Sequence, residues 1–501
     1  MSLRALLRGS LLYTLGNFLP RIGAFLLLPV YTAAMAPAEF GIFSLMLSLS
    51  GLLAIAYRLG LDGALLRFHF DVAEADRPSL YRTSAAVTLA AAIGLSVLVT
   101  LLIGPFFDAI FPGVPFVPYG VLALAITAAT AFQYVPSALF RATERPGRFL
   151  AFALGVFGLV VAGTLLFVLA MGMGAVGGLL AQLLSGIGVV GATAWILARM
   201  RRGAVRPELA RGALRFGLPL VPHGLAAWVL NLSDRWLIGL LIGLPAVAAQ
   251  AAVGVYSFGY VVGQSVALVA MSFNAAWVPI WYARGDASHG PALLREMTSL
   301  VMAGLGLLAV GVAVLAPELT RVLASARWGA EADAAADVIP VVAGASLVYG
   351  LYFMVVSTVF LRRRTAGLPL LTLAAGAANV GANLLLIPRL GLMGAAWSTL
   401  IGYLALAGLT WWYARRDFPV RLDVVRLALI AGGALTVALL ARLVTPDSAG
   451  LPASTAFHLG LSAAYAVLLL PLLRGPVARL RTLLAVPVEP GPSAGPMPAG
   501  G

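Results

Sequence analysis

The chain contains no cysteine and no lysine. Without cysteine there are no disulfides, thiolate zinc sites or iron–sulfur clusters. The four histidines are widely spaced, so no histidine metal motif forms and no metal is expected. Charge is scarce. Only 10% of residues are charged, with 19 acids and 33 basic residues, all of them arginine. No polar stretch between the apolar runs is long enough for a soluble domain.

Most of what remains is apolar. The 501 residues are 61% hydrophobic, and the mean hydropathy is +0.98. A soluble protein cannot hide that much apolar surface, so lipid is the solvent for most of the chain. Crossing a hydrocarbon core of roughly 30 Å takes about 20 apolar residues. On that spacing helices are predicted near 10–36, 40–60, 83–104, 117–140, 149–171, 175–198, 214–243, 253–283, 298–316, 336–361, 366–387, 391–414, 425–444 and 456–473. The start resembles a signal peptide, with Arg4 and Arg8 before an apolar run and Ala34-Met35-Ala36 after it. The run is too long and contains Pro20 and Arg21, so it reads as a retained first helix.

The fold class expected is therefore all-α and polytopic, with about 14 transmembrane helices. The net charge of +14 would suggest nucleic acid in a soluble protein. Here it follows topology instead, and no nucleic acid is expected. With the N-terminus inside, 27 arginines fall in the even connections and the two tails. Arg321, Arg327, Arg389 and Arg442 fall in the odd ones, and Arg21 and Arg235 lie within helices. This split is the positive-inside pattern and predicts cytoplasmic N- and C-termini.

The sequence also repeats. Arg8-Gly9-Ser10-Leu11 pairs with Arg211-Gly212-Ala213-Leu214, and Pro20-Arg21 with Pro222-His223. Gly41-Ile42-Phe43-Ser44 pairs with Gly254-Val255-Tyr256-Ser257, and Met173-Gly174-Ala175 with Met393-Gly394-Ala395. Two parallel six-helix repeats imply a pseudo-two-fold axis along the membrane normal, with a central cavity between the bundles. The predicted units are an N-lobe (1–200), a linker (201–215), a C-lobe (214–414), helices 13–14 (425–473) and a disordered cytoplasmic tail (482–501).

Several stretches look familiar. Gly9-Ser10-Leu11-Leu12-Tyr13, Leu28-Pro29 and Pro37-Ala38-Glu39-Phe40-Gly41 resemble the polysaccharide-transporter family of Wzx-type oligosaccharide flippases, within the multidrug/oligosaccharidyl-lipid/polysaccharide (MOP) exporter superfamily. So do Leu59-Gly60-Leu61-Asp62 with Arg67-Phe68, Phe216-Gly217-Leu218-Pro219, Leu232-Ser233-Asp234-Arg235-Trp236, Val253-Gly254-Val255-Tyr256 and the run from Ile387 to Ala396. The resemblance covers most of residues 8–414. It implies a multi-pass protein of the bacterial inner (cytoplasmic) membrane whose cavity opens alternately to each side. The implied cargo is a polyprenyl-diphosphate-linked oligosaccharide, moved to the outer leaflet without covalent chemistry or a cofactor. A polysaccharide polymerase or glycosyltransferases are the protein partners to expect. A lipid II flippase, a cation-coupled drug exporter and a non-transporting scaffold in polysaccharide assembly are the alternatives.

Candidate residues follow from charge at membrane depth. Arg21 lies about 11 residues into the first helix, roughly 16 Å deep. An intramembrane arginine there is expected to meet the cargo diphosphate or a structural partner. His223 is its repeat mate. Each follows a proline, Pro20 or Pro222, where kinks are expected. His223 is a second cavity residue and a candidate for ion coupling, or else a hydrogen-bonding link between helices. Asp234 is the one acid placed inside a span, hence a coupling-ion candidate or half of an ion pair, and Arg235 beside it is another cavity candidate. Asn379 and Asn383 share one helix face and suggest a cavity stripe. Tyr256, Trp277 and Tyr282 could stack on sugars or anchor helices. Arg58, Asp62 and Arg67 could form a cytoplasmic entry cluster, although positive-inside bias explains the same arginines without function and is the favoured reading.

Overall fold

The computed structural model describes residues 3–200, 203–285, 288–444 and 451–485, with side chains for all of these except residues 3–11 and Arg21. Lipid offers no hydrogen-bond partner to a backbone, so a spanning chain must satisfy its own amide groups, as a helix does. Every regular element among the described residues is helical. Helix α1 spans Leu3–Leu26 and continues, past a break at Leu27, as Leu28–Ala34. Among the described residues thirteen further helices follow that, unlike α1, are both long and apolar enough to cross a membrane. They are α2 (Pro37–Asp71), α3 (Glu74–Leu102), α4 (Phe116–Ala142), α5 (Pro146–Ala170), α6 (Gly174–Arg199), α7 (Pro207–Leu232), α8 (Ala246–Arg284), α9 (Gly290–Val314), α10 (Ala326–Leu361), α11 (Thr365–Leu390), α12 (Leu392–Ala414), α13 (Val424–Val444) and α14 (Leu451–Ala485). Helix α1 stands outside that set because Asn17, Pro20 and Arg21 dilute its hydropathy, although its 24 residues match a bilayer in length. The chain is a multi-pass all-α membrane protein.

Many apolar side chains point outward, as lipid requires. On α3 the residues Leu89, Ile93, Val97 and Leu101, four apart along one face, are all exposed. Packing between helices relies on glycine, which lets backbones approach closely. Helix α1 seats Gly16 and Gly23 against Phe149 and Phe157 of α5. Helix α8 seats Gly259 and Gly263 against Val338 and Val342 of α10. Helices α13 and α14 lie against α9.

The two halves meet where α2 lies against α7 and α8. At the arginine-poor end, a Cβ on Gly41 would fall 1.9 Å from the Gln250 carbonyl oxygen, and one on Gly254 would fall 2.0 Å from that of Pro37. At the arginine-rich end, a Cβ on Gly60 would meet the Gly217 carbonyl oxygen at 2.2 Å, and one on Gly217 would meet that of Leu59 at 2.4 Å. Gly60 adopts φ +71, which glycine tolerates without strain. The halves thus touch backbone to backbone at both ends.

Several predicted bounds shift. Helix α2 passes a left-handed turn at Leu59 and Gly60 and runs on to Asp71. Helix α14 reaches Ala485, so the tail expected from 482 is helical to that residue, and the rest lies outside the described residues. Within the 201–215 segment, residues 201–202 lie outside the described set and Pro207–Gly217 is helical. Helix α7 tightens to a 3-10 turn at Leu218–Leu220, just before Pro222, and breaks again at Ser233. Proline clashes with the carbonyl four residues earlier, which accounts for the first of these interruptions. Helix α1 stays helical through Pro20 and breaks at Leu27.

Candidate functional site

The break in α7 makes Asp234 the first residue of a new helical segment, Asp234–Leu241. Its side chain is 0% exposed. Three neutral groups from three helices donate to the carboxylate. The Tyr256 hydroxyl of α8 and the Thr399 hydroxyl of α12 each reach Oδ2 at 2.7 Å, and the Asn383 amide of α11 reaches Oδ1 at 2.8 Å. Among the described residues no basic group pairs with it. A buried carboxylate is costly unless it is well hydrogen-bonded, and these three donors meet that need without cancelling its charge.

Arg235 points elsewhere, as the roughly 100° step between helix neighbours requires. It is 6% exposed. Its guanidinium lies 4.4 Å from the Tyr260 ring centre and 5.9 Å from that of Tyr256. It also donates to the Asn231 carbonyl at 3.3 Å. Tyr256 is therefore shared, with its hydroxyl on Asp234 and its ring facing the arginine. A second polar layer continues from there. Tyr403 donates to Asn231 Oδ1 at 2.7 Å, and Gln264 donates to the Tyr260 hydroxyl at 3.2 Å.

Asn379 and Asn383 do share a face of α11, and the Asn383 amide donates to Asn379 Oδ1 at 3.2 Å. Both are 0% exposed, so the stripe is enclosed within the second half. Asn383 Oδ1 and Asn379 Nδ2 are buried without a partner. Tyr256 is likewise fully buried. Trp277 lies between Phe273 and Trp281, while Tyr282 is exposed. His223, half-buried near the start of Val221–Leu232, leaves its buried Nδ1 unpartnered. The side chain of Arg21 lies outside the described residues. Just before the left-handed turn of α2, Arg58 donates to the Thr130 carbonyl at 3.4 Å. Asp62 and Arg67 are exposed, with Arg67 beside Asp71 and over the Phe216 ring.

Further contacts join the halves at the arginine-poor end. The fully buried Trp328 donates to the Met35 carbonyl at 3.0 Å, with its ring between Phe40 and Phe258. Thr32 donates to the Leu323 carbonyl at 2.9 Å, and Gln250 donates to that of Pro112 at 2.8 Å.

A family profile described as polysaccharide biosynthesis protein matches residues 6–282, more than half of the chain. The chain belongs to that family. No curated protein matches it by sequence. Among solved structures, the lipid II flippase MurJ in an inward closed conformation aligns at 11% identity and a TM-score of 0.71, covering 93% of this chain and 100% of its own. An inward-facing multidrug resistance MATE transporter of the MOP superfamily aligns at 16% identity and a TM-score of 0.62, covering 84% and 96%. A MATE protein solved in complex with MaL6 aligns at 16% and 0.55, covering 85% and 97%. At these identities the likeness is one of fold: this member of the polysaccharide biosynthesis family has the architecture of MOP-superfamily transporters.

Sequence reasoning reached Asp234, singled out Tyr256 and Asn383 for other roles, and missed Thr399. Tyr256, Asn383 and Thr399 stand 22, 149 and 165 residues away, and nothing local links them. The roles of Trp328 and Gln250 in joining the halves carried no signal either, since tryptophan and glutamine near helix ends are ordinary.

Proposed function

We propose that this protein flips a polyprenyl-diphosphate-linked oligosaccharide from the cytoplasmic to the outer leaflet of the bacterial inner membrane by alternating access, with both termini cytoplasmic. Membership of the polysaccharide biosynthesis family carries this reading. The two sets of contacts between the halves support it, because a carrier that alternates must break one set while keeping the other. In this reading Arg21 meets the diphosphate with a planar fork of donors. His223, whose buried Nδ1 has no partner, supplies a second contact. Asp234 supplies the coupling site: a buried negative charge beside the amides of Asn379 and Asn383 and the Thr399 hydroxyl suits a proton or a monovalent cation bound through oxygen.

The fold likeness to the lipid II flippase MurJ supports a second reading, in which the cargo is a peptidoglycan precursor bearing the same diphosphate. One experiment separates them. The full-length protein is reconstituted in vesicles with either cargo, fluorescently labelled, and outer-leaflet exposure is timed. Faster exposure of the oligosaccharide carrier than of lipid II is expected. Movement of lipid II alone would replace the first reading with the second, and movement of neither would remove both.

A further inference from the structure

We infer that Tyr352 of α10, with Tyr349 beside it, stacks on a sugar of the cargo. The inference rests on the oligosaccharide reading above and names the contact that recognises the sugar. Tyrosine in a membrane span is usual at the two interfaces. These two stand near the middle. Tyr403 is the middle residue of α12, and the Tyr349 ring lies on the Tyr403 ring at 4.6 Å and 13°. Tyr352, one turn further on, lies 5.6 Å from Tyr349 with the ring planes 3° apart. Phe353 closes the patch at 4.6 Å from Tyr349 and 5.5 Å from Tyr352.

The patch borders a gap inside the second half. From Val221 to Leu232, α7 packs mainly on α11 and α2, while α10 packs on α8, α9 and α12. Leu230 of α7 lies beside Gly402 of α12, next to Tyr403, so α7 and α10 stand level at this depth without packing closely on each other. Tyr349 and Tyr352 border the buried cluster that holds Leu230 and Tyr403, which puts them on the side of α10 toward α7. Both are half-buried there. By the rise of the two helices, His223 of α7 lies about 6 Å nearer the arginine-rich end than Tyr352. A diphosphate held at His223 leaves its first sugars level with the patch.

The hydroxyls set this patch apart from ordinary core. A buried tyrosine hydroxyl usually finds a partner. Tyr403 donates to Asn231, and Tyr260 accepts from Gln264. The Tyr352 hydroxyl has no hydrogen-bond partner among the described residues and is not sealed into the core. Packing alone is served by phenylalanine, as at Phe353. A sugar uses both parts of a tyrosine: its C–H face lies on the electron-rich ring, and its hydroxyls bond the phenol. A lipophilic cation fits less well, because the Arg235 guanidinium already lies 4.4 Å from the Tyr260 ring centre.

The test uses the full-length protein in detergent and two probes, polyprenyl diphosphate esterified either with a neutral trisaccharide or with methyl, so that the diphosphate charge is the same. Native mass spectrometry reads both affinities. The parent should bind the trisaccharide probe more tightly. Tyr352→Ala should weaken that probe about fivefold, the range of one aromatic contact, and leave the methyl probe unchanged. Tyr352→Leu keeps apolar bulk without a flat ring and should show the same loss, which covers the case of an alanine variant that does not fold. Tyr352→Trp should keep the affinity. Equal weakening of both probes in Tyr352→Leu, or of neither, overturns the inference and leaves the flippase reading standing. A parent that binds neither probe overturns that reading, and this inference with it.

Discussion

Gly41 and Gly254 press on each other across the join between the halves, each packed on the carbonyl four residues before the other. They are also equivalent positions in the internal repeat, so the contact is reciprocal in the way a two-fold axis requires. A methyl group on either would overlap a carbonyl oxygen, and the backbone there cannot yield as a flexible side chain would. Gly254→Ala should therefore part the halves at the arginine-poor end and cost about 1–3 kcal/mol of stability. The chain has no native cysteine, which makes the measurement clean. A single cysteine replacing the buried Met35, beside Trp328, should react slowly with a soluble maleimide in the parent and faster in the Gly254→Ala background. Equal rates would mean that the join tolerates the methyl group.

Asp234 receives only donors. Asn in its place keeps one acceptor oxygen and turns an NH2 group toward groups that also donate. Asp234→Asn should lower stability by about 1–3 kcal/mol, the cost of leaving buried polar groups unpaired. Thr399→Val removes one donor and should cost about 1 kcal/mol. Thermal unfolding in detergent measures both. In vesicles, Asp234→Asn should also make flipping insensitive to an imposed proton or sodium gradient. Flipping that still follows the gradient would take Asp234 out of the coupling step.

Much of this fold could be read from its sequence because the bilayer imposes a length and loop arginines mark a side. Runs of about 20 apolar residues locate the thirteen candidate spanning helices found among the described residues, and the repeat pairs Gly41 with Gly254, which meet across the join. Boundaries were read less well. Helix α14 extends to Ala485, past the predicted end at 473, because Arg479 and Arg481 in its last turns break an apolar run but not a helix that projects beyond the lipid. The surroundings of Asp234 were the least legible part. Spacing could put Asn379 and Asn383 on one face, but nothing in the sequence said that this face would close on α7. That depends on how α11 and α12 pack, which is a long-range matter.

For Arg21, repeat-matched to His223, the expected outcome concerns transport rather than folding. Arg21→Ala should reduce flipping of the labelled oligosaccharide carrier to the rate of empty vesicles, with an unchanged melting temperature. Arg21→Lys keeps the charge but loses the two-pronged geometry, and should retain partial activity. Wild-type rates in Arg21→Ala would remove the cationic contact from the mechanism.

Helices α13 and α14 are held to α9 by charge as well as by packing. Buried Glu296 of α9 accepts from Arg479 Nε at 2.8 Å and lies 3.5 Å from Arg426 Nη1, while Asp423 pairs with Arg295 at 2.9 Å and with Arg426 at 3.1 Å. Burial raises the pKa of Asp423, but the backbone N–H of Arg426 and the two guanidinium groups outweigh it and hold the carboxyl below its ordinary range. A carboxylate whose folded-state pKa is depressed stabilises the fold fully above its unfolded pKa of about 3.9 and loses that contribution as pH falls through the lowered folded value. Asp423→Asn should therefore melt below the parent by a constant margin from pH 7 to pH 5, worth about 1 kcal/mol because Arg295 is partly exposed and screened. Below pH 4 the two melting curves should converge. A margin that persists undiminished at pH 3 would mean that the Asp423 side chain acts through packing and not through its charge.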